Sequence, residues 1–124
     1  MKNIKALLKP LEGKIVFFAT SSKQGKSNLI CAEVNEILPD ARILITNNMM
    51  KKTVKNIKEN NFCSLAVYSK KISAQIKCSA KYYSKGKWLN YVKTLDSNKG
   101  YSPKGALILT VKQIFDLNSG KRIA

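Results

Sequence analysis

From Ile72 to Tyr83 two kinds of residue alternate without a break: Ile72, Ala74, Ile76, Cys78, Ala80 and Tyr82 on one parity, Ser73, Gln75, Lys77, Ser79, Lys81 and Tyr83 on the other. Successive side chains of a strand point to opposite faces, so the pattern predicts one long strand with a core face and a wet face. Two readings of Gln75 and Lys77 stay open: they solvate the wet face, or they line a groove that holds a ligand.

The remaining segments fit around that strand. Lys14 to Thr20 is a compact apolar strand, and Gly25 in Ser21-Ser22-Lys23-Gln24-Gly25-Lys26 supplies the positive φ of a tight hairpin. The returning strand runs from about Ser27 to Ile37; its continuous Leu29-Ile30-Cys31-Ala32 predicts cover on both faces or a bulge at its middle. Leu38-Pro39-Asp40-Ala41 is a turn. Strands follow at Arg42 to Thr46, Phe62 to Tyr68 and Ala106 to Leu117, with the alternating strand between the last two.

Helical spacing marks Ile4, Leu7, Leu8 and Leu11, then Met50, Val54 and Ile57, then Trp88, Val92 and Leu95. The tail Asn118 to Ala124 is polar and is expected to fray. Short turns between strands favour a mainly β fold, an antiparallel six-stranded sheet curled into a small barrel with three short flanking helices, as a single domain over residues 1–124. No glycine-rich loop follows a strand, which excludes a Rossmann site and a P-loop.

Between the fourth strand and the second helix lies Thr46-Asn47-Asn48-Met49-Met50-Lys51-Lys52-Thr53. A helix start offers unpaired N–H groups and the positive end of the macrodipole, and Lys51, Lys52 and the Thr53 hydroxyl fall within its first turn. This is either a phosphate seat or a helix capped by Asn48 with solvated lysines.

Composition narrows the chemistry. The chain has no histidine and only seven acidic residues, none in an apolar run, so it offers neither a Ser-His-Asp set nor paired carboxylates, and any chemistry falls to a cofactor. Cys31, Cys63 and Cys78 are odd in number and lack the spacing of a zinc site. The net charge of +16 comes almost entirely from dispersed lysines, with Arg42 and Arg122 the two arginines. It fits a nucleic-acid or other polyanion partner, or a lysine-rich composition without one. No apolar run is long enough for a membrane span or a signal peptide, which leads us to expect a cytoplasmic protein with no membrane partner.

Several stretches, in order, resemble the flavin-binding split barrels related to pyridoxamine 5′-phosphate oxidase. They are Phe18-Ala19-Thr20-Ser21-Ser22-Lys23-Gln24-Gly25-Lys26-Ser27-Asn28, Ile43-Leu44-Ile45-Thr46-Asn47, Lys52-Thr53-x-x-Asn56-Ile57-x-x-Asn60, Cys63 to Tyr68, Gln75-Ile76-Lys77-Cys78-Ser79-Ala80, Gly86-Lys87-Trp88, and Lys99 to Ala106. The resemblance implies a six-stranded split barrel that forms a homodimer, with a flavin mononucleotide (FMN) in each of two interface clefts. It assigns the phosphate to Lys52 and Thr53, and the ribityl chain and ring edge to Asn47 and Asn48. The backbone of Leu29, Ile30 and Cys31 would run along the isoalloxazine. Gln75 and Lys77 would close the cleft from the long strand, with the partner subunit as one possible source, and Lys77 is the candidate charge near the ring.

The implied function is that of a small oxidoreductase with a small-molecule substrate or electron donor. The chain departs from the vitamin oxidases in lacking their C-terminal arginine and histidine segment, and from haem-binding relatives in having no histidine; Ser27 stands where many relatives have proline. A deazaflavin in place of FMN, a polyanion-binding barrel and a cofactor-less structural barrel are the alternatives.

Overall fold

The computed structural model describes residues 3–124, so Met1 and Lys2, the first residues of the lysine-and-aliphatic N-terminal stretch, lie outside it. Seven strands form one antiparallel sheet: β1 Ile15–Ser21, β2 Ser27–Glu33, β3 Glu36–Ile37, β4 Ile43–Asn47, β5 Phe62–Tyr68, β6 Ser73–Tyr83 and β7 Gly105–Asp116. Three helices flank it, α1 Ile4–Leu8, α2 Lys52–Glu59 and α3 Lys87–Lys93, with 3₁₀ turns at Lys9–Leu11 and Asp96–Asn98. The strand order across the sheet is β2-β1-β5-β6-β7-β4-β3.

The expected six strands are thus corrected to seven, because the returning strand does not run unbroken from Ser27 to Ile37. The backbone changes partner between two neighbouring residues: Val34 N donates to Lys14 O at 2.9 Å, and Asn35 N donates to Leu44 O at 2.9 Å. The Asn35 side chain fixes the crossing, its Oδ1 accepting from Thr46 N and from Thr46 Oγ1, both at 2.9 Å. Because β2 and β3 are the two outer strands, and Glu33 and Glu36 are only about 11 Å of chain apart, the sheet has to curl until its edges approach. The edges do not pair, which leaves the curled sheet split. Its one register irregularity lies elsewhere, between Lys77 and Cys78 in the pairing of β6 with β7.

The alternation in β6 places Ile76, Cys78 and Ala80 in the core beside Phe18, Leu65, Ile45 and Leu109. Helix α2 lays Ile57 on the same core and also buries Val54, while α3 covers a smaller cluster of Leu38, Leu44, Ala106 and Ile108 with Val92. At the N-terminus only half of the expected stripe is used: Leu8 and Leu11 are buried, whereas Ile4 and Leu7 face out, since the chain tightens to a 3₁₀ turn around Pro10. The tail is held rather than frayed. Ile123 N donates to Ile114 O at 2.7 Å, and Ile114 N donates to Ala124 O at 2.9 Å.

The outer face of β2, β1 and β5 is apolar and open. Leu29 is 64% exposed, Ile15 61%, Phe17 51% and Phe62 66%, and the ladder register sets Phe17 opposite both Cys31 and Ala66. Among the described residues no helix is long and apolar enough to cross a membrane.

Candidate functional site

The turn from β4 into α2 is shaped by one buried side chain. Asn47, 3% exposed, accepts from Met50 N through Oδ1 at 2.6 Å and donates from Nδ2 to Tyr82 Oη at 2.9 Å. Tyr82 reaches it only because position 105, opposite Asn47 on β7, is a glycine; a Cβ there would overlap the tyrosine hydroxyl and ring, its Cε1 lying 2.6 Å away. Asn47 therefore builds the turn from beneath.

Helix α2 starts at Lys52 with Lys51 in the cap position, and no side chain caps it. The capping role considered for Asn48 is not realised. Asn48 Nδ2 instead donates to Asn98 Oδ1 at 3.4 Å, and Asn48 Oδ1 is buried without a partner. In the first turn the Thr53 side chain is buried and its Oγ1 accepts from Asn28 Nδ2 on β2 at 3.3 Å, which ties the helix start to that strand. Lys51 and Lys52 are exposed beside it.

These elements border a cleft of about 650 Å³ between β2, the β4–α2 turn and the loop carrying Ser97, Asn98 and Tyr101. The volume lies within the roughly 300–1,000 Å³ common to small-molecule sites. Its two ends differ. At the α2 end are Lys51, Lys52, Thr53 and Asn28, a cationic and N–H-rich surface suited to a phosphate. At the other end are Glu33, Asn35, Ser97 and Asn98. Asn98 is 5% exposed and donates to Thr46 Oγ1 at 2.9 Å and to Val92 O at 2.8 Å, so the loop wall is anchored to both β4 and α3.

The structure brings together five of the residues expected from sequence: Ile30, Cys31, Asn48, Lys52 and Thr53 all line the cleft. Leu29 points away, onto the exposed outer face of β2, and Asn47 lies beneath the turn. Gln75 and Lys77 are remote. In sheet order β6 is three strands from β2, about 14 Å at the usual inter-strand spacing, and Lys77 instead lines a second cavity of about 440 Å³ with Thr20, Asn60 and Cys63. In that cavity the Cys63 thiol beside it, together with burial, pushes the Cys78 thiol up, so Cys78 stays protonated core sulfur. Sequence reasoning missed Asn28, Asn35, Ser97 and Asn98. The signal available for Asn35 was its position just past an apolar run; for Ser97 and Asn98, in a polar loop far along the chain, there was none.

A family profile described as pyridoxamine 5′-phosphate oxidase matches residues 1–118. An uncharacterized protein of Methanocaldococcus jannaschii is 34% identical over 125 residues, covering 97% of this chain and 84% of the relative. Among solved structures, HupZ of Group A Streptococcus superposes with a TM-score of 0.81 at 20% identity, covering 100% of both chains. An FMN-binding protein from Syntrophomonas wolfei subsp. wolfei superposes with a TM-score of 0.74 at 15% identity, covering 93% of this chain and 84% of its own. At these identities the superpositions establish the fold.

Proposed function

The chain belongs to the pyridoxamine 5′-phosphate oxidase family, and from that premise we propose that it is a small FMN-binding oxidoreductase that works as a homodimer. The observation that carries the reading is the polarity of the cleft. One end supplies an uncapped helix start with Lys52 and Thr53, and further along the wall the buried Asn48 Oδ1 lacks a donor. A ligand with a phosphate at one end and a ring N–H at the other meets both needs, and a flavin mononucleotide is such a ligand. The structural likeness to an FMN-binding protein supports the same choice.

In this reading Lys52, Thr53 and the first N–H groups of α2 hold the phosphate, while Asn48 orients the ring edge and β2 at Ile30 and Cys31 provides the wall along which the ring lies. FMN would supply hydride or electron transfer, which suits a chain with no histidine and no paired carboxylates. Asn47 keeps the turn in shape from below. Gln75 and Lys77 cannot reach the cleft of their own protomer, so they contribute only if a second copy presents its β6 there.

The open apolar face of Leu29, Ile15, Phe17 and Phe62 gives that second copy a surface to cover, since exposed apolar patches of this kind mark association sites. The test is direct. Purified protein should be yellow or take up added FMN stoichiometrically, and light scattering should give twice the chain mass. A colourless protein that refuses FMN and instead binds oligonucleotides with a steep salt dependence would overturn the reading in favour of a polyanion-binding barrel.

A further inference from the structure

We propose that the solvent face of α2 docks against the phosphate backbone of a double-stranded nucleic acid without reading its sequence. Every exposed side chain of residues 51–59 except Glu59 is a lysine: Lys51, Lys52, Lys55 and Lys58. Lys51, Lys55 and Lys58 fall at i, i+4 and i+7, so they form one stripe about 10 Å long, on the side of the helix away from the buried Val54 and Ile57.

The flavin does not account for this row. Lys51 and Lys52 border the cleft, whereas Lys55 and Lys58 lie outside it. Helix stability does not account for it either. Lys51 with Lys55, Lys52 with Lys55 and Lys55 with Lys58 are like charges one turn apart, and the two lysines at the helix start oppose its dipole. The first turn holds no acidic residue, and the ion pairs found among the described residues, Lys9–Glu12 and Arg42–Asp40, leave α2 out. Glu59, four residues beyond Lys55, instead accepts from Lys23 N at 3.3 Å, which brings the hairpin that also carries Lys26 alongside the helix. A polyanion laid on this face turns the repulsion into attraction.

Two contacts hold the row in place. Lys58 Nζ stands 5.5 Å from the centroid of the Tyr82 ring, and Lys104 Nζ donates to Asn48 O at 3.0 Å, just ahead of the helix start. One strand of a duplex advances about 3.4 Å per phosphate, so a stripe of about 10 Å meets about three successive phosphates. Lysines act there as point charges and contact no base edge, hence the indifference to sequence. An anionic membrane fits this face less well, because the apolar side chains of α2 point into the core and leave nothing to insert.

The experiment is fluorescence anisotropy of two labelled DNA duplexes of unrelated sequence, with the whole protein as purified and after saturation with FMN, from about 50 to 200 mM salt. Both duplexes should bind alike and weaken about 40-fold over that range, as three phosphate contacts of about 0.9 each in log–log slope require. K55Q/K58Q should make the slope shallower by about 1.8 and weaken binding about tenfold or more at the lowest salt, with FMN affinity within about twofold of the parent; K55R/K58R should keep the parent's slope. K70Q/K71Q removes the same charge from the turn after β5, about 20 Å of strand from the end of α2, and should change binding less than about threefold. Equal loss in K55Q/K58Q and K70Q/K71Q would overturn the proposal, since total charge alone would then hold the duplex. No binding near 50 mM salt, loss in K55R/K58R, or release of the duplex by saturating FMN would overturn it as well. So would tighter binding to phosphatidylserine vesicles than to DNA. Duplex binding that depends on Lys55 and Lys58 in a protein that takes up no FMN would support this docking face while removing the flavin reading.

Discussion

Replacing Gly105 by alanine tests whether the cleft turn is built from beneath. Gly105 has no positive φ, so nothing in its own backbone demands glycine. What excludes a side chain is Tyr82, whose Cε1 would lie 2.6 Å from the new Cβ against a comfortable carbon–carbon contact of about 3.5–4.0 Å. Overpacking of that degree costs about 1–3 kcal/mol. If the ring swings away, the Asn47–Tyr82 hydrogen bond at 2.9 Å is lost as well, about 1 kcal/mol more. Against this, alanine in a strand gains roughly 0.5–1 kcal/mol over glycine. The net expectation for G105A is a destabilisation of about 1–3.5 kcal/mol, seen in urea unfolding as a lower midpoint at unchanged slope. The sign should reverse when Tyr82 is first changed to alanine: with the obstructing ring gone, G105A should be neutral or stabilising by about 0.5 kcal/mol. Equal destabilisation in both backgrounds would refute the account. So would a loss below about 0.5 kcal/mol in the parent, because the overlap would then relax at no cost to the turn.

Other perturbations probe the site and its frame. K52A should weaken FMN binding by about 1.5 kcal/mol or more, as removal of a charge-assisted phosphate contact requires, and fluorescence titration of free flavin would expose an unchanged affinity. Asn98→Leu leaves Thr46 Oγ1 without a donor in a buried place and Val92 O with the longer bond from Leu95 N at 3.3 Å, which should lower stability by about 1–3 kcal/mol in thermal unfolding. The Glu12 carboxyl is held below the usual range by the Lys9 ammonium at 2.7 Å and by the Ile37 N–H at 2.8 Å. Its stabilising effect is therefore full above the unfolded carboxyl pKa and lost as pH falls through the lowered folded value. E12Q should cost about 0.5 kcal/mol at neutral pH and nothing in acid, and a pH-independent difference would contradict this. Phe17→Asp, on the open outer face, should yield a folded monomer by light scattering; a persisting dimer would place the interface elsewhere.

The parts of the molecule legible in its sequence are those where one period governs a run of residues. The alternation from Ile72 to Tyr83 placed Ile76, Cys78 and Ala80 inside as expected. The helix start at Lys52 and Thr53 was equally plain, because a change of period beside a turn marks it. What could not be read is partner exchange. Val34 and Asn35 look like two more residues of a strand, and only the positions of Lys14 and Leu44 in space decide that one bonds left and the other right. The far wall of the cleft was hidden for the same reason: Asn35 and Asn98 are 63 positions apart and meet through the Thr46 hydroxyl, while Asn35 also bonds the neighbouring Ser97. The tail misled in the other direction, since its polar residues hid the three backbone bonds that Ile123 and Ala124 make with Ile114.

The strand order carries a consequence for how the molecule is made. The first-synthesised strands occupy both flanks, β2 and β1 on one side and β3 and β4 on the other, and the late meander β5-β6-β7 fills the space between them. A nascent chain that has emerged as far as Asn47 has two separate ribbons and no surface on which to join them, since β1 waits for β5 and β4 for β7. Such distant pairings make folding slow. The interval is also when Phe17 stands beside the unpaired edge of β1, which β5 covers, whereas β4 stays unpaired on that side until the segment from Gly105 to Asp116 leaves the ribosome. On this topology, truncation anywhere before β7 should yield an aggregating ribbon rather than a smaller barrel.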